Sequence, residues 1–415
     1  MHETITLSNG VRVLSERIAD VRSCSLGVWV GTGSRHEPER LGGAAHFIEH
    51  MLFKGTETRS AQDLAAFMDS VGGQINAFTT RELTCFHGRV VDEKVSALAE
   101  VLADILLRSK FAESDVAAER NVILEEIGMY EDTPDDVATE LLTAKVFHGS
   151  LGRPILGTAG KLNRMTGATL RKYQKSRYVG SAIVVAMCGS FSDGDLARVC
   201  ELFGEVEAGD APTFEPTEYT PAVASRRKPI EQNHIVLAMP GIQVTDERRY
   251  ALQLMSDILG GGMSSRLFQQ VRETRGLCYS VYSYASSYAD TGSLSIYTAL
   301  GADTERDALR VIADEVRKFR DGGVTSDELT RSRDQVRANL LMSLESTSSR
   351  MNRLGRNTLT YGHVIDTEDS IARYEAVTAD DIAAVAGELL DFSKLSLSVV
   401  GKVRRTSEYL EILKK

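Results

Sequence analysis

Four of the chain's eight prolines fall between Pro212 and Pro229, in DAPTFEPTEYTPAVASRRKP. Proline removes a backbone donor and fixes φ, and this stretch carries no helical or strand period, so it is predicted as a linker. It divides 415 residues into halves of similar length, and a chain of that size exceeds what one hydrophobic core usually supports. The expectation is a domain at 1–210, a linker at 211–229 and a second domain at 230–415.

Halves of equal length invite a search for an internal repeat. Each begins with apolar strand material, SLGVWVG in the first and HIVLAMPG in the second, followed by alternating helical and strand segments. Toward the end of each copy lies a comparable helix, FAESDVAAERNVILEEI and VTSDELTRSRDQVRANL, which sets Arg120 over Arg333, Glu119 over Ser332 and Glu126 over Asn339. Laying Met51-Leu52 over Ile258-Leu259 then sets His46, Glu49 and His50 over Gln253, Ser256 and Asp257. The predicted class is α+β, built by internal duplication, and the polar set belongs to the first copy alone.

Composition narrows the function. A net charge of −10 argues against a dedicated nucleic-acid binder, which needs a basic face to neutralise phosphates. Apolar residues at 42 % and charged residues at 26 % describe a globular chain with material for proper cores. Five cysteines, widely spaced and odd in number, read as free buried thiols in a reducing compartment. No run of eighteen apolar residues marks a membrane span, and Asn9-Gly10 between alternating residues signals a hairpin from the start of the chain. A cytoplasmic protein without membrane partners is expected.

HFIEH places two of the eight histidines and a glutamate within five residues. The surrounding GGAAHFIEHMLFKG has helical spacing and no internal breaker, so His46, Glu49 and His50 project from one face. Imidazoles one turn apart can grip one zinc ion; the plainer alternative is a histidine pair on an amphipathic helix. A catalytic zinc needs a third ligand and an open position for water. AERNVILEEIGMYED offers Glu119 and Glu126 on one face, two turns apart, with Glu125 about a hundred degrees away. One of the first two can ligate while the other holds a histidine from behind. Glu49, not needed as a ligand, is placed to act as general base, an arrangement suited to peptide-bond hydrolysis.

HFIEH resembles the inverted zinc motif H-x-x-E-H of the pitrilysin (M16) peptidases. In that family the third ligand follows the second histidine by seventy-six residues, which here is Glu126, and a supporting glutamate seven residues earlier falls on Glu119. The resemblance runs nearly the whole chain. VGGQINAFTTRELTCFHGRV is similar to the family's edge strand that pairs with substrate backbone, with Asn76 and Ala77 at its start; FHGSLGRPILGT is a further signature. RETRGLCYSV resembles the family's oxyanion-binding pair, here Arg272 and Tyr279.

The length, with two domains of α/β-roll type, matches the subgroup of processing peptidases and their bacterial relatives. The resemblance therefore implies one Zn2+ per chain, peptide substrates, and two chains closing like a clamshell, with a homodimer the simpler reading and a heterodimer with a related chain the alternative. Acidic residues ten and fourteen positions after the ligand glutamate, Asp136 and Glu140, correspond to a pair that receives a substrate arginine in processing peptidases; Asp136 would also suit a simple helix start after Pro134. A non-catalytic peptide-binding subunit is the competing function, and degenerate zinc residues would mark it. Gly260-Gly261-Gly262 lacks the Lys-Ser or Lys-Thr of a phosphate loop and reads as a helix end, and Arg226-Arg227-Lys228 as a solvated run.

Overall fold

The computed structural model describes residues 2–414. The first sheet contains β1 (Glu3–Thr6), β2 (Arg12–Arg17), β3 (Ser23–Val30), β4 (Gln74–Thr79), β5 (Thr84–Val91) and β6 (Ile183–Gly189), in the order β1-β2-β6-β3-β5-β4. The second contains β7 (Val223–Arg227), β8 (Gln232–Pro240), β9 (Ser280–Ser287), β10 (Gly292–Gly301) and β11 (Ser396–Gly401), in the order β7-β11-β8-β10-β9. Without β1 the two orders correspond strand for strand. Each has one parallel pair, β2 with β6 and β7 with β11, among antiparallel neighbours. The duplication inferred from the aligned helices is therefore present in topology, and the mixed sheets packed with helices are of the expected α+β class.

The Asn9-Gly10 hairpin forms, with Glu3 opposite Ser15 and Gly10 at φ 93°. Strand β3 is buried along nearly its whole length, which explains why its sequence is a continuous apolar run rather than an alternation: both faces of the sheet are covered. On one face Leu26, Val28, Phe86 and Val185 pack with helix Val95–Arg108 and its neighbours. On the other, Leu14, Trp29, Val184 and Ala186 meet Met351 and Leu354 of helix Thr347–Tyr361. That helix lies so close that a Cβ at Gly355 would stand 2.2 Å from the Trp29 ring.

The second sheet is covered in the reciprocal way. Helix Pro134–Val146 from the first half of the chain sets Val137, Ala138 and Leu142 against Val236, Ala238, Tyr297 and Val400. The compact units consequently differ from the segments 1–210 and 230–415: one comprises 1–127, 153–215 and 342–365, the other 128–152, 216–341 and 366–415. Inside the expected linker, β7 is a strand, paired parallel with β11 from the far end of the chain. Only Ala224 of its five residues is buried, so the segment carries no alternation by which to recognise it.

All five cysteines are free, with Cys24, Cys85 and Cys188 buried. Among the described residues no helix is long and apolar enough to cross a membrane.

Candidate metal centre

The motif helix spans Ala44–Leu52. Its apolar side, Phe47, Ile48, Met51 and Leu52, is fully buried in the first unit's core, which decides the face that turns inward and leaves the remaining face toward helix Glu113–Glu131. The helix begins at Gly43, whose φ of 99° and close approach to Leu156 O and Gly157 exclude a side chain.

Across that face, Nε2 of His46 and of His50 stand 3.7 and 3.6 Å from Oε2 of Glu126. Ligand atoms of the three residues all lie within 4.8 Å of one another. Zinc ligands at about 2.0–2.1 Å in a tetrahedral array are about 3.4 Å apart, so both histidine–carboxylate separations already lie within a few tenths of an ångström of that spacing. Oε2 of Glu126 is buried and has no hydrogen-bond partner. A buried carboxylate oxygen left without a donor, facing two imidazole nitrogens, is an environment that a cation relieves. Two imidazoles and one carboxylate are also the donor set of a catalytic zinc with an open position.

The electrostatics agree. Burial, reinforced by neighbouring His50, pushes the His46 imidazole down to about 3, keeping it neutral and able to ligate. Burial raises the carboxyls of Glu126 and Glu49 above their ordinary range, in Glu49 against a hydrogen bond from Thr79. The Thr79 hydroxyl, at the end of edge strand β4, donates to Glu49 Oε2. Glu119, nearly buried, meets His50 Nδ1 at 2.8 Å through one oxygen and Lys54 Nζ at 2.6 Å through the other. This bond presents the opposite nitrogen of His50 toward Glu126 and orients the ring from behind.

Thus His46, Glu49, His50, Glu119 and Glu126 come together in one unit, with Glu125 exposed and outside the set. Asn76 and Ala77 lie on β4 at the open edge of the same sheet, where Asn76 Oδ1 accepts the Ala77 N–H at 2.8 Å. Arg272, Tyr279, Asp136 and Glu140 belong to the other unit. There the Arg272 guanidinium lies 4.7 Å from the centre of the Tyr279 ring, and that tyrosine is 74 % exposed. Asp136 and Glu140 are half-buried on helix Pro134–Val146, and burial followed by neighbouring Asp135 raises the Asp136 carboxyl.

Sequence reasoning missed Thr79, Lys54 and Glu37. Lys54 follows the end of the motif helix, four residues after His50, and only the turn that closes the helix brings it to Glu119. Thr79 carried no signal, because its contact with Glu49 joins a strand to a helix thirty residues away. Glu37 is fully buried and accepts hydrogen bonds from the N–H groups of Gly43 and Ala45 at 2.8 and 2.7 Å, at the start of the motif helix.

Fold and site together define a duplicated metallohydrolase in which one copy carries the metal-binding face. Residues 12–159 match the model described as Insulinase (Peptidase family M16), and residues 164–336 match the Peptidase M16 inactive domain. The chain is 42 % identical over 407 residues to a Bacillus subtilis protein named "Uncharacterized zinc protease YmxG", covering 97 % of this chain and 100 % of that one. It is 40 % identical to a zinc protease of Streptomyces coelicolor, over 96 % of this chain and 89 % of that one. The same fold occurs in a Pseudomonas fluorescens structure described as a peptidase M16 inactive domain, at TM-score 0.90, 21 % identity and coverage of 97 % and 98 %. A Helicobacter pylori protease superposes with TM-score 0.89 at 20 % identity, over 97 % and 99 %. The chain belongs to peptidase family M16.

Proposed function

We propose that this protein is a zinc endopeptidase that cleaves extended, unstructured peptides or presequence-like segments. The observation that carries the reading is the convergence of His46, His50 and Glu126 with Glu49 beside them on the same helical face. Relatives named zinc proteases support the choice of metal and reaction. Bound at these three residues, Zn2+ would supply a Lewis acid and lower the pKa of water.

The chain's own residues divide the remaining work. Glu49 takes the proton of the attacking water; its burial raises carboxylate basicity, and the Thr79 hydroxyl holds one oxygen so that the other is directed to the reaction. Strand β4, whose outer edge has no strand partner among the described residues, offers backbone pairing to an extended substrate near Asn76 and Ala77. Arg272 and Tyr279 are donors suited to a developing oxyanion. The Asp136 and Glu140 carboxylates would favour a basic residue near the cut. Because one chain carries both the zinc motif and the Arg272/Tyr279 pair, we assign the working form to a homodimer closing as a clamshell.

Mass spectrometry of an unstructured, arginine-containing peptide tests this reading, with Glu49→Gln and a chelator in parallel. Cleavage by the wild type alone, with the variant retaining zinc yet slower by roughly 10² to 10⁴, is the expected result. Full activity in the variant removes Glu49 from the mechanism. Intact peptide in every tube with zinc bound would favour a peptide-binding subunit.

A further inference from the structure

We infer that Glu37 is a positioning residue for the metal centre, setting the axial position and rotation of the motif helix; the inference rests on the metallopeptidase reading. An α-helix leaves its first N–H groups without intrahelical partners, and the N-cap side chain ordinarily takes one of them. The cap here is Gly43, which has no side chain, and the first turn contains no acidic residue. Glu37 supplies the missing acceptor from six residues upstream, one oxygen on the N–H of Gly43 and the other on that of Ala45. Ala45 directly precedes His46. A two-pronged carboxyl group at this point restrains the helix both along its axis and about it, as a single-oxygen cap does not.

Glu37 is itself held firmly. Arg153 donates to its backbone carbonyl at 2.7 Å. Arg35, almost wholly buried, pairs with Glu82 at 2.7 Å and lies 3.8 Å from the centre of the Phe214 ring. The N–H groups of Ser34 and Arg35 donate to the carbonyls of Thr80 and Arg81, at 3.2 and 2.8 Å. Those two residues immediately follow Thr79, whose hydroxyl holds Glu49. Segment 34–37 therefore ties the partner of the general base to the origin of the ligand helix, through bonds that touch neither the metal ligands' side chains nor Glu49. Displacement of the helix by an ångström would carry both histidines away from Glu126, so the clamp acts on the site's geometry together with the packing of Phe47, Ile48, Met51 and Leu52.

The test compares full-length wild type with Glu37→Gln, whose amide nitrogen must face one of the two N–H donors, and with Ser60→Ala, which removes a capping box from helix Ala61–Ser70. Three readouts are taken: zinc affinity by chelator competition, the visible absorption of the Co2+-substituted protein, and kcat and KM at saturating zinc. For Glu37→Gln we expect affinity lower by about 10- to 100-fold, the size of effect seen when groups supporting metal ligands are removed, with an altered Co2+ spectrum and a fall in kcat at nearly constant KM. Ser60→Ala should lower thermal stability and leave all three readouts unchanged. A Glu37→Gln protein with wild-type affinity, spectrum and kcat, whatever its melting temperature, overturns the inference. Should Glu37→Gln fail to fold, Arg153→Met, which removes the bond to the Glu37 carbonyl, is expected to shift the same readouts in the same direction, and their constancy would equally overturn it. Failure of the wild type to bind metal or cleave peptide would instead reject the metallopeptidase reading.

Discussion

The motif helix Ala44–Leu52 and its counterpart Arg249–Ser256 occupy corresponding places in the duplicated units. Each packs on the edge strand of its sheet, β4 or β9, and on a helix that follows later in the chain, Gly167–Arg177 or Ala379–Leu389. Their polar positions end differently. In the first, Oε2 of Glu126 is buried without a hydrogen-bond partner and faces Nε2 of both His46 and His50. In the second, Gln253 donates to Asp257 at 3.0 Å, the Ser256 and Ser283 hydroxyls meet at 3.3 Å, and the helix continues into wider turns over Asp257–Gly261. On the helix of the second copy these groups bond to one another or to the neighbouring strand; on that of the first they are aimed at a common point. The duplication thus kept the strand order and changed how this face is used: buried ligand-type groups that converge without partners mark the binding copy.

Equivalent substitutions in the two copies probe this contrast most strongly. Glu126→Gln should lose zinc, measured by elemental analysis, and with it at least 10³-fold in activity, since metal affinity depends on the full ligand set. Asn339→Ala, at the matching position of the second copy, should alter neither by more than about twofold, within the range of an ordinary surface change. Loss of zinc in Asn339→Ala would mean that the second copy is not a silent frame.

A weaker effect is expected behind the ligands. Glu119→Gln still bonds His50 but no longer presents a carboxylate to Lys54, and zinc affinity should fall by about 10- to 100-fold with the ion still bound at saturating concentration. Unchanged affinity by chelator competition would reduce Glu119 to a packing residue.

The smallest effect concerns stability in the second copy. Burial pushes the Asp257 carboxyl up to about 6 from 3.8, so the folded state holds a proton that the unfolded state releases between those values. Its favourable contribution is complete below about pH 4 and disappears as pH rises through 6. Asp257→Asn, uncharged throughout, should therefore gain on the order of 1–3 kcal/mol over wild type above pH 7 and converge with it near pH 4 in thermal melts. A constant difference across that range would show that Asp257 is not the group titrating.

Legibility in the sequence followed the range of the interactions. HFIEH was readable because both histidines and Glu49 lie within two turns of one helix, and the β1–β2 hairpin because Asn9-Gly10 is a local turn signal. Position along helix Glu113–Glu131 limited the choice of third ligand to Glu119 or Glu126, but separating ligand from supporter required the family spacing. Contacts that join remote segments left no periodic trace. β7 needs β11, Glu49 needs Thr79, and Glu37 acts through backbone N–H groups that any residue would offer. The exchanged helices Pro134–Val146 and Thr347–Tyr361 were equally hidden, since a helix's apolar face does not reveal which sheet will receive it.

That exchange has a temporal consequence. The first sheet's strands have all been synthesised by residue 189, yet Met351 and Leu354, which cover Trp29 and Ala186, follow far later in the chain. At about 5–20 residues per second, a nascent chain would hold that apolar face uncovered for on the order of ten seconds. Neither half of the coding sequence therefore specifies a unit able to complete itself on the ribosome, and the zinc-binding half is finished only when the last third of the message has been read.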